Sequence, residues 1–148
     1  MVASMDELRI WQAKAEITEL ITRYAALNDA GDWHAAAALY VEDARMSRPT
    51  APDVLIVGRD AILRSFLERP PRSTRHVVAN VLVTVEDERI ARAASQLLLF
   101  LGTPTADSGL PRLAAAAPLV GTYADVVVRT DQGWRFRERL GRLDFQPL

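Results

Sequence analysis

The chain has no cysteine. Disulfides, thiolate nucleophiles and cysteine-bound metals are therefore excluded. Histidine occurs twice, as His34 and His76, and neither stands among carboxylates at metal-ligand spacing, so no metal site is expected. Lysine occurs once, as Lys14, and arginine supplies the rest of the 18 basic residues, which face 19 acidic ones. That near-balance lacks the basic excess of a nucleic-acid binder. No stretch is long and apolar enough to span a bilayer. The start, "MVASMDELRIW", has acids where a signal peptide carries a basic region and an apolar run. A phosphate-cradling glycine loop is also missing, since "GRD" at 58–60 opens a helix. These absences point to a cytoplasmic protein with no cofactor and with neither nucleic acid nor membrane as partner.

What is present is a chain of 148 residues, 49% hydrophobic, long enough for one domain with a real core. Ser4 and Glu7 have capping-box spacing. Ile10, Ala13, Ile17, Leu20, Ile21, Tyr24 and Leu27 then follow at helical intervals, and Gly31 suits the end of that helix. A second, shorter helix is expected from Asp32 through "WHAAAALY", then a loop punctuated by Pro49 and Pro52. "GRDAILRSFLERP" reads as a third amphipathic helix. From there the pattern turns to strands: "RHVVANVLVTV", "IARAASQLLLFL", "GTYADVVVRT" and "WRFRERLGRLDF", with "EDER" and "DQG" as turns. The segment at about 103–117 is too long for a simple hairpin and reads as a lid or a disordered insertion. Its alanine run reads as a short helical turn or a loose linker. Helices followed by antiparallel strands make an α+β pattern. A curved sheet wrapped on the first helix would enclose a pocket.

Within "STRHVVANV", strand alternation puts His76, Val78, Asn80, Leu82 and Thr84 on one face. Val77, Ala79, Val81, Val83 and Val85 fall on the other, which should pack hard. The mixed face suits a pocket wall with a few placed polar groups. On this pattern alone His76 reads equally well as a pocket base or as a strand-end residue bonded to a carbonyl. A pocket histidine becomes an effective base when a carboxylate holds its other nitrogen. Asp29, at the end of the first helix, is the candidate, although helical phase puts it on the flank and needs the last turn to swing it inward.

"ITRYAALNDAGDWHAAAALYVEDARM", "STRHVVANVLV" and "GTYADVVVRTDQGWRFRERLGRLDF" resemble the nuclear-transport-factor-two-like superfamily, and within it the SnoaL-like branch that includes scytalone dehydratase and hexachlorocyclohexane dehydrochlorinase. The resemblance covers nearly the whole chain, 1–148, except the 103–117 insertion. It implies a cone: three helices packed on a strongly curved, mixed, mainly antiparallel sheet that encloses a cavity. It also implies an Asp–His dyad, with His76 removing a proton from carbon and Asp29 orienting it and holding its charge. The implied activity is that of a cofactor-independent lyase or isomerase acting on a small, largely apolar molecule. A non-catalytic ligand-binding protein and a small subunit like that of ring-hydroxylating dioxygenases are the alternatives. The resemblance also implies a homodimer or homo-oligomer formed through the sheet.

Departures from the family pattern limit the reading. The tyrosine that precedes the aspartate in scytalone dehydratase is Asn28 here, and that enzyme's second histidine falls near Leu99. The helix-one lysine of the dehydrochlorinase has only Arg23 near it, at a different offset. The carboxylate base of ketosteroid isomerase would fall near Arg48. Tyr24, Asn28, Asn80, Tyr123 and Arg129 are the candidate substrate contacts. His34 is expected to be exposed, Trp33 and Trp134 to pack, and "RFRERLGR" to form a charged face.

Overall fold

Helix α1 spans Glu7–Ala30 and carries its buried residues, Ala13, Ile17, Leu20, Ile21, Tyr24 and Asn28 among them, at three- and four-residue intervals. The computed structural model describes residues 5–107 and 109–147. Ser4, the expected cap, lies outside them. Asp6 caps the helix, its carboxylate accepting the Arg9 N–H. At the other end Gly31 takes φ 70°. Its N–H reaches the Asn28 carbonyl and the Asp32 N–H reaches that of Leu27, the paired bonds of a Schellman stop. The last turn is therefore tightly wound, with Asn28 and Asp29 held in it.

Helix α2 is only Trp33–Ala37, capped by Asp32. The expected continuation to Tyr40 does not occur, because Tyr40 opens a strand. Strand β1 (Tyr40–Arg48) and strand β2 (Ala51–Val57) form a hairpin whose turn is Pro49–Thr50, and Arg48 pairs with Ala51 across it. The segment expected as loop is thus strand, with Pro49 marking the turn and Pro52 tolerated in a strand at the sheet edge. Helix propensity of the alanine run gives way to burial: the Tyr40 ring is fully buried against Tyr24 and Phe136.

Helix α3 (Arg59–Leu67) buries Ile62 and Phe66. Four further strands follow at the expected places, β3 (Ser73–Val85), β4 (Ile90–Thr103), β6 (Leu119–Thr130) and β7 (Gly133–Leu143). A two-residue strand, β5 (Arg112–Leu113), lies in the 103–117 segment and pairs with the end of β4. The alanine run after it, residues 114–117, forms bends, not a helical turn. The sheet runs β2-β1-β7-β6-β4-β3, with β1 and β7 parallel and every other pair antiparallel. This is the α+β cone expected: helices against one face of a curved, mixed sheet.

The alternation in β3 changes phase part-way. Asn80 has φ 51°, and pairing slips between Ala79 and Leu82, so Asn80 and Val81 together oppose Ser95. This is a β-bulge. Before it His76 and Val78 face inward, while Val77 and Ala79 are exposed; after it Val81, Val83 and Val85 pack on the core. The expected uniform apolar face therefore does not exist. Asn80 does not share the His76 face either: it lies outside and donates to Gln96 Oε1.

Candidate active site

Strand β3 runs along the flank of α1, and this contact brings Asp29 to His76. Asp29 Oδ1 lies 2.5 Å from His76 Nδ1 and accepts the Thr74 hydroxyl at 2.9 Å. Its other oxygen accepts the backbone N–H of His76 at 2.9 Å. No fraying of the helix is needed, because the strand comes to the carboxylate. Three bonds hold Asp29, and Asp29 in turn favours the tautomer with hydrogen on Nδ1, which leaves the Nε2 lone pair toward the cavity. Burial pulls the His76 pKa below its usual value, the bond and charge of Asp29 oppose this, and Arg69 and Arg139 add to the lowering. The balance favours the neutral imidazole.

His76 opens into a cavity of about 320 Å³, within the range of ordinary small-molecule sites. Leu97, Leu99 and Leu101 of β4, with Leu119 and Leu143, form an apolar wall. Leu99 is the cross-strand partner of His76, so the position matched to a second histidine in scytalone dehydratase is occupied by a leucine beside the base. Tyr123 is part of the lining. Burial and the neighbouring Tyr24 push its pKa well up, so its hydroxyl stays protonated and can donate.

The other expected contacts are placed differently. Tyr24 is buried in the core, its hydroxyl accepting that of Tyr40 at 3.0 Å, and it is not part of the lining. Asn28 lies behind the cavity wall, donating to the Tyr24 carbonyl and accepting from Arg69. Arg129 is exposed at the far end of the sheet, over the Trp134 ring, and does not enter the cavity. The bulge at Asn80 turns that side chain away. His34 is exposed and Trp134 buried, while Trp33 lines the cavity.

Several polar residues at the site carry no sequence motif. Arg48, Arg69 and Arg72 all border the cavity. Arg69 Nη1 donates to Asn28 Oδ1 at 3.0 Å, and its guanidinium sits 4.6 Å over Phe66 and 5.3 Å over Trp33. Arg139, expected on a charged outer face, is instead in the core. It pairs with Asp125 at 2.5 Å, both buried, and lies 3.8 Å over the Tyr123 ring. Burial raises the Asp125 carboxyl to about 6 against the opposing pull of Arg139.

The SnoaL-like domain family matches residues 9–140. The chain belongs to that family. A nuclear-transport-factor-two-like protein with a cystatin-like fold from Novosphingobium aromaticivorans is 28% identical, with 95% of this chain and 87% of that chain covered at a TM-score of 0.75. A candidate scytalone dehydratase from the same organism is 24% identical, covering 95% and 92% at 0.74. A candidate dehydratase from Streptomyces avermitilis is 17% identical, covering 91% and 98% at 0.75. No curated relative matches the chain. Among the described residues no helix is long and apolar enough to cross a membrane.

Proposed function

We propose that this SnoaL-like domain is a cofactor-independent lyase of the dehydratase kind, or an isomerase, acting on a small, largely apolar molecule. His76 is the general base and Asp29 its orienting partner. The observation that carries the reading is the 2.5 Å contact of Asp29 with His76 Nδ1 at the wall of an apolar cavity. A neutral imidazole whose Nε2 faces a bound carbon acid can take a proton from it. The carboxylate then stabilises the imidazolium that forms. Tyr123, lining the same cavity, is a hydroxyl donor for a substrate oxygen.

The experiment is deuterium incorporation at activated C–H positions of small cyclic ketones such as 2-tetralone, followed by NMR in D₂O. The protein is expected to speed exchange, and His76→Ala to lose about 10²–10⁴-fold of that effect. Equal rates for the two proteins would sink the reading. A non-catalytic ligand-binding role is the second reading, favoured by Leu99, which stands beside His76 where scytalone dehydratase carries a second histidine. Binding without exchange for every ketone tested would support it.

The same proposal has the chain act as a homodimer through the outer face of the sheet. Val77 and its cross-strand partner Leu98 are exposed there. Light scattering on the purified protein reads that state directly.

A further inference from the structure

We propose that Arg69, backed by Arg48, forms an anion subsite in the cavity, so that the substrate is an apolar molecule bearing a carboxylate or an ionised enol oxygen. The inference rests on reading the cavity as the substrate site of His76 and names the class of molecule it takes.

A guanidinium carries five N–H donors and accepts nothing. Arg69 uses one Nη1 donor on Asn28 Oδ1, and Arg48 Nη2 donates to the Ser65 carbonyl. Neither residue, nor Arg72 at the same rim, pairs with a carboxylate among the described residues. The unpaired arginines elsewhere in the chain, Arg135 excepted, are exposed to water, whereas Arg48 and Arg69 are half-buried and their Nε atoms are buried with no hydrogen-bond partner among the described residues. Arg9, Arg23, Arg45, Arg92 and Arg142 all have carboxylate partners although their side chains are more than half exposed. Asp29, on the flank of α1 beside β3, is already committed to His76 and Thr74. A protein with net charge -1 therefore gathers uncompensated positive charge at one cavity.

A partly buried charge without a counter-ion is unfavourable, and an anionic ligand would supply what the fold omits. The geometry suits one. Phe66 and Trp33 hold the Arg69 plane, and a planar fork matches the two oxygens of a carboxylate or of a 1,3-dicarbonyl enolate. The leucine wall takes the apolar body. Where the bond broken is a C–H next to a carbonyl, its electron pair moves into that carbonyl as Nε2 takes the proton. The oxygen becomes an enolate, and Arg69 faces it. In an elimination the pair returns to form C=C, the C–O bond on the next carbon breaks, and the proton on His76 leaves with the hydroxyl as water.

The test is calorimetric titration of matched probes: 2-naphthoate against 2-naphthamide for a standing carboxylate, and 4-hydroxycoumarin against coumarin for an enolate. At least one anion is expected to bind about tenfold or more tighter than its neutral counterpart, as a charged hydrogen bond predicts. Which pair shows the advantage tells the two sources apart. Arg69→Gln should erase the advantage, bringing each anion to the affinity of its neutral counterpart, whereas Arg69→Lys keeps part of it. No advantage in the unaltered protein overturns the proposal, and that comparison needs no variant to fold. An advantage that survives Arg69→Gln, in protein shown to be folded by circular dichroism, also overturns it. Ketone exchange run alongside separates the two ideas. Exchange that depends on His76 without anion preference sinks the subsite alone, and anion preference with exchange independent of His76 sinks the general base alone.

Discussion

Replacing Asp29 by Asn changes the site by a single atom type and tests what the carboxylate does. Asp29 accepts three hydrogen bonds, from the His76 ring, the His76 backbone and Thr74. An amide offers one accepting oxygen and one donating nitrogen. If the oxygen faces the ring and Thr74, the amide nitrogen meets the His76 backbone N–H, donor against donor. If the amide is flipped, the nitrogen meets Nδ1 and forces the proton onto Nε2, which removes the lone pair from the cavity. The first arrangement leaves a part-buried donor unsatisfied, at about 1–3 kcal/mol, and the second remakes the bonds but blocks the base. For a domain of this size the first cost corresponds to a melting shift of about 2–4 °C per kcal/mol. Ketone exchange should fall by about 10²–10⁴-fold. The pH profile supplies an independent sign. Asp29 raises the His76 pKa against the lowering by burial, so its loss should move the acid limb of the profile to still lower pH. An acid limb that stays in place or moves up would refute this account of the dyad, whatever happens to the rate.

Other perturbations follow from the same geometry. Because the His76 pKa is lowered in the folded protein, the unfolded chain binds the proton first. Stability should therefore fall as pH drops below about 6.5, and His76→Gln should flatten that dependence in urea titrations. Asp125→Asn strands the buried Arg139 and is expected to destabilise by about 3–5 kcal/mol, read by denaturant unfolding. At Gly141 an added Cβ would stand 2.6 Å from Pro49 Cδ. Since Pro49 is a cavity wall, Gly141→Ala should cost about 1–3 kcal/mol and weaken ligand binding, measured by melting and calorimetry. Tyr123→Phe keeps the ring under Arg139 and should weaken binding of carbonyl ligands by about 0.5–1.5 kcal/mol with little change in melting.

The long first helix was legible because its apolar residues keep one period and Gly31 marks its end. The pairing of Asp29 with His76 was legible only through the family pattern, since helical phase left the carboxylate on a flank. The flank is where β3 runs, and that is a tertiary fact. The β1–β2 hairpin was missed because alanine propensity masked Tyr40, whose burial against Phe136 decides the matter. The Asn80 bulge had a signal, an asparagine tolerant of positive φ within a valine run, but strict alternation overrode it. The arginines of the cavity had none: Arg48 ends β1, Arg69 and Arg72 lie in the connection from α3 to β3, and all three look like ordinary surface charge.

Catalysis at this site depends on Asp29 keeping the proton on Nδ1 of His76 and so offering Nε2 to the cavity. Long-range ¹H–¹⁵N correlation spectra of the imidazoles read this directly. With only two histidines in the chain and His34 exposed, a His34→Gln variant completes the assignment. At pH 7 the expected result is a neutral His76 ring with a protonated Nδ1 and a bare Nε2. A ring protonated on Nε2 at that pH would contradict it.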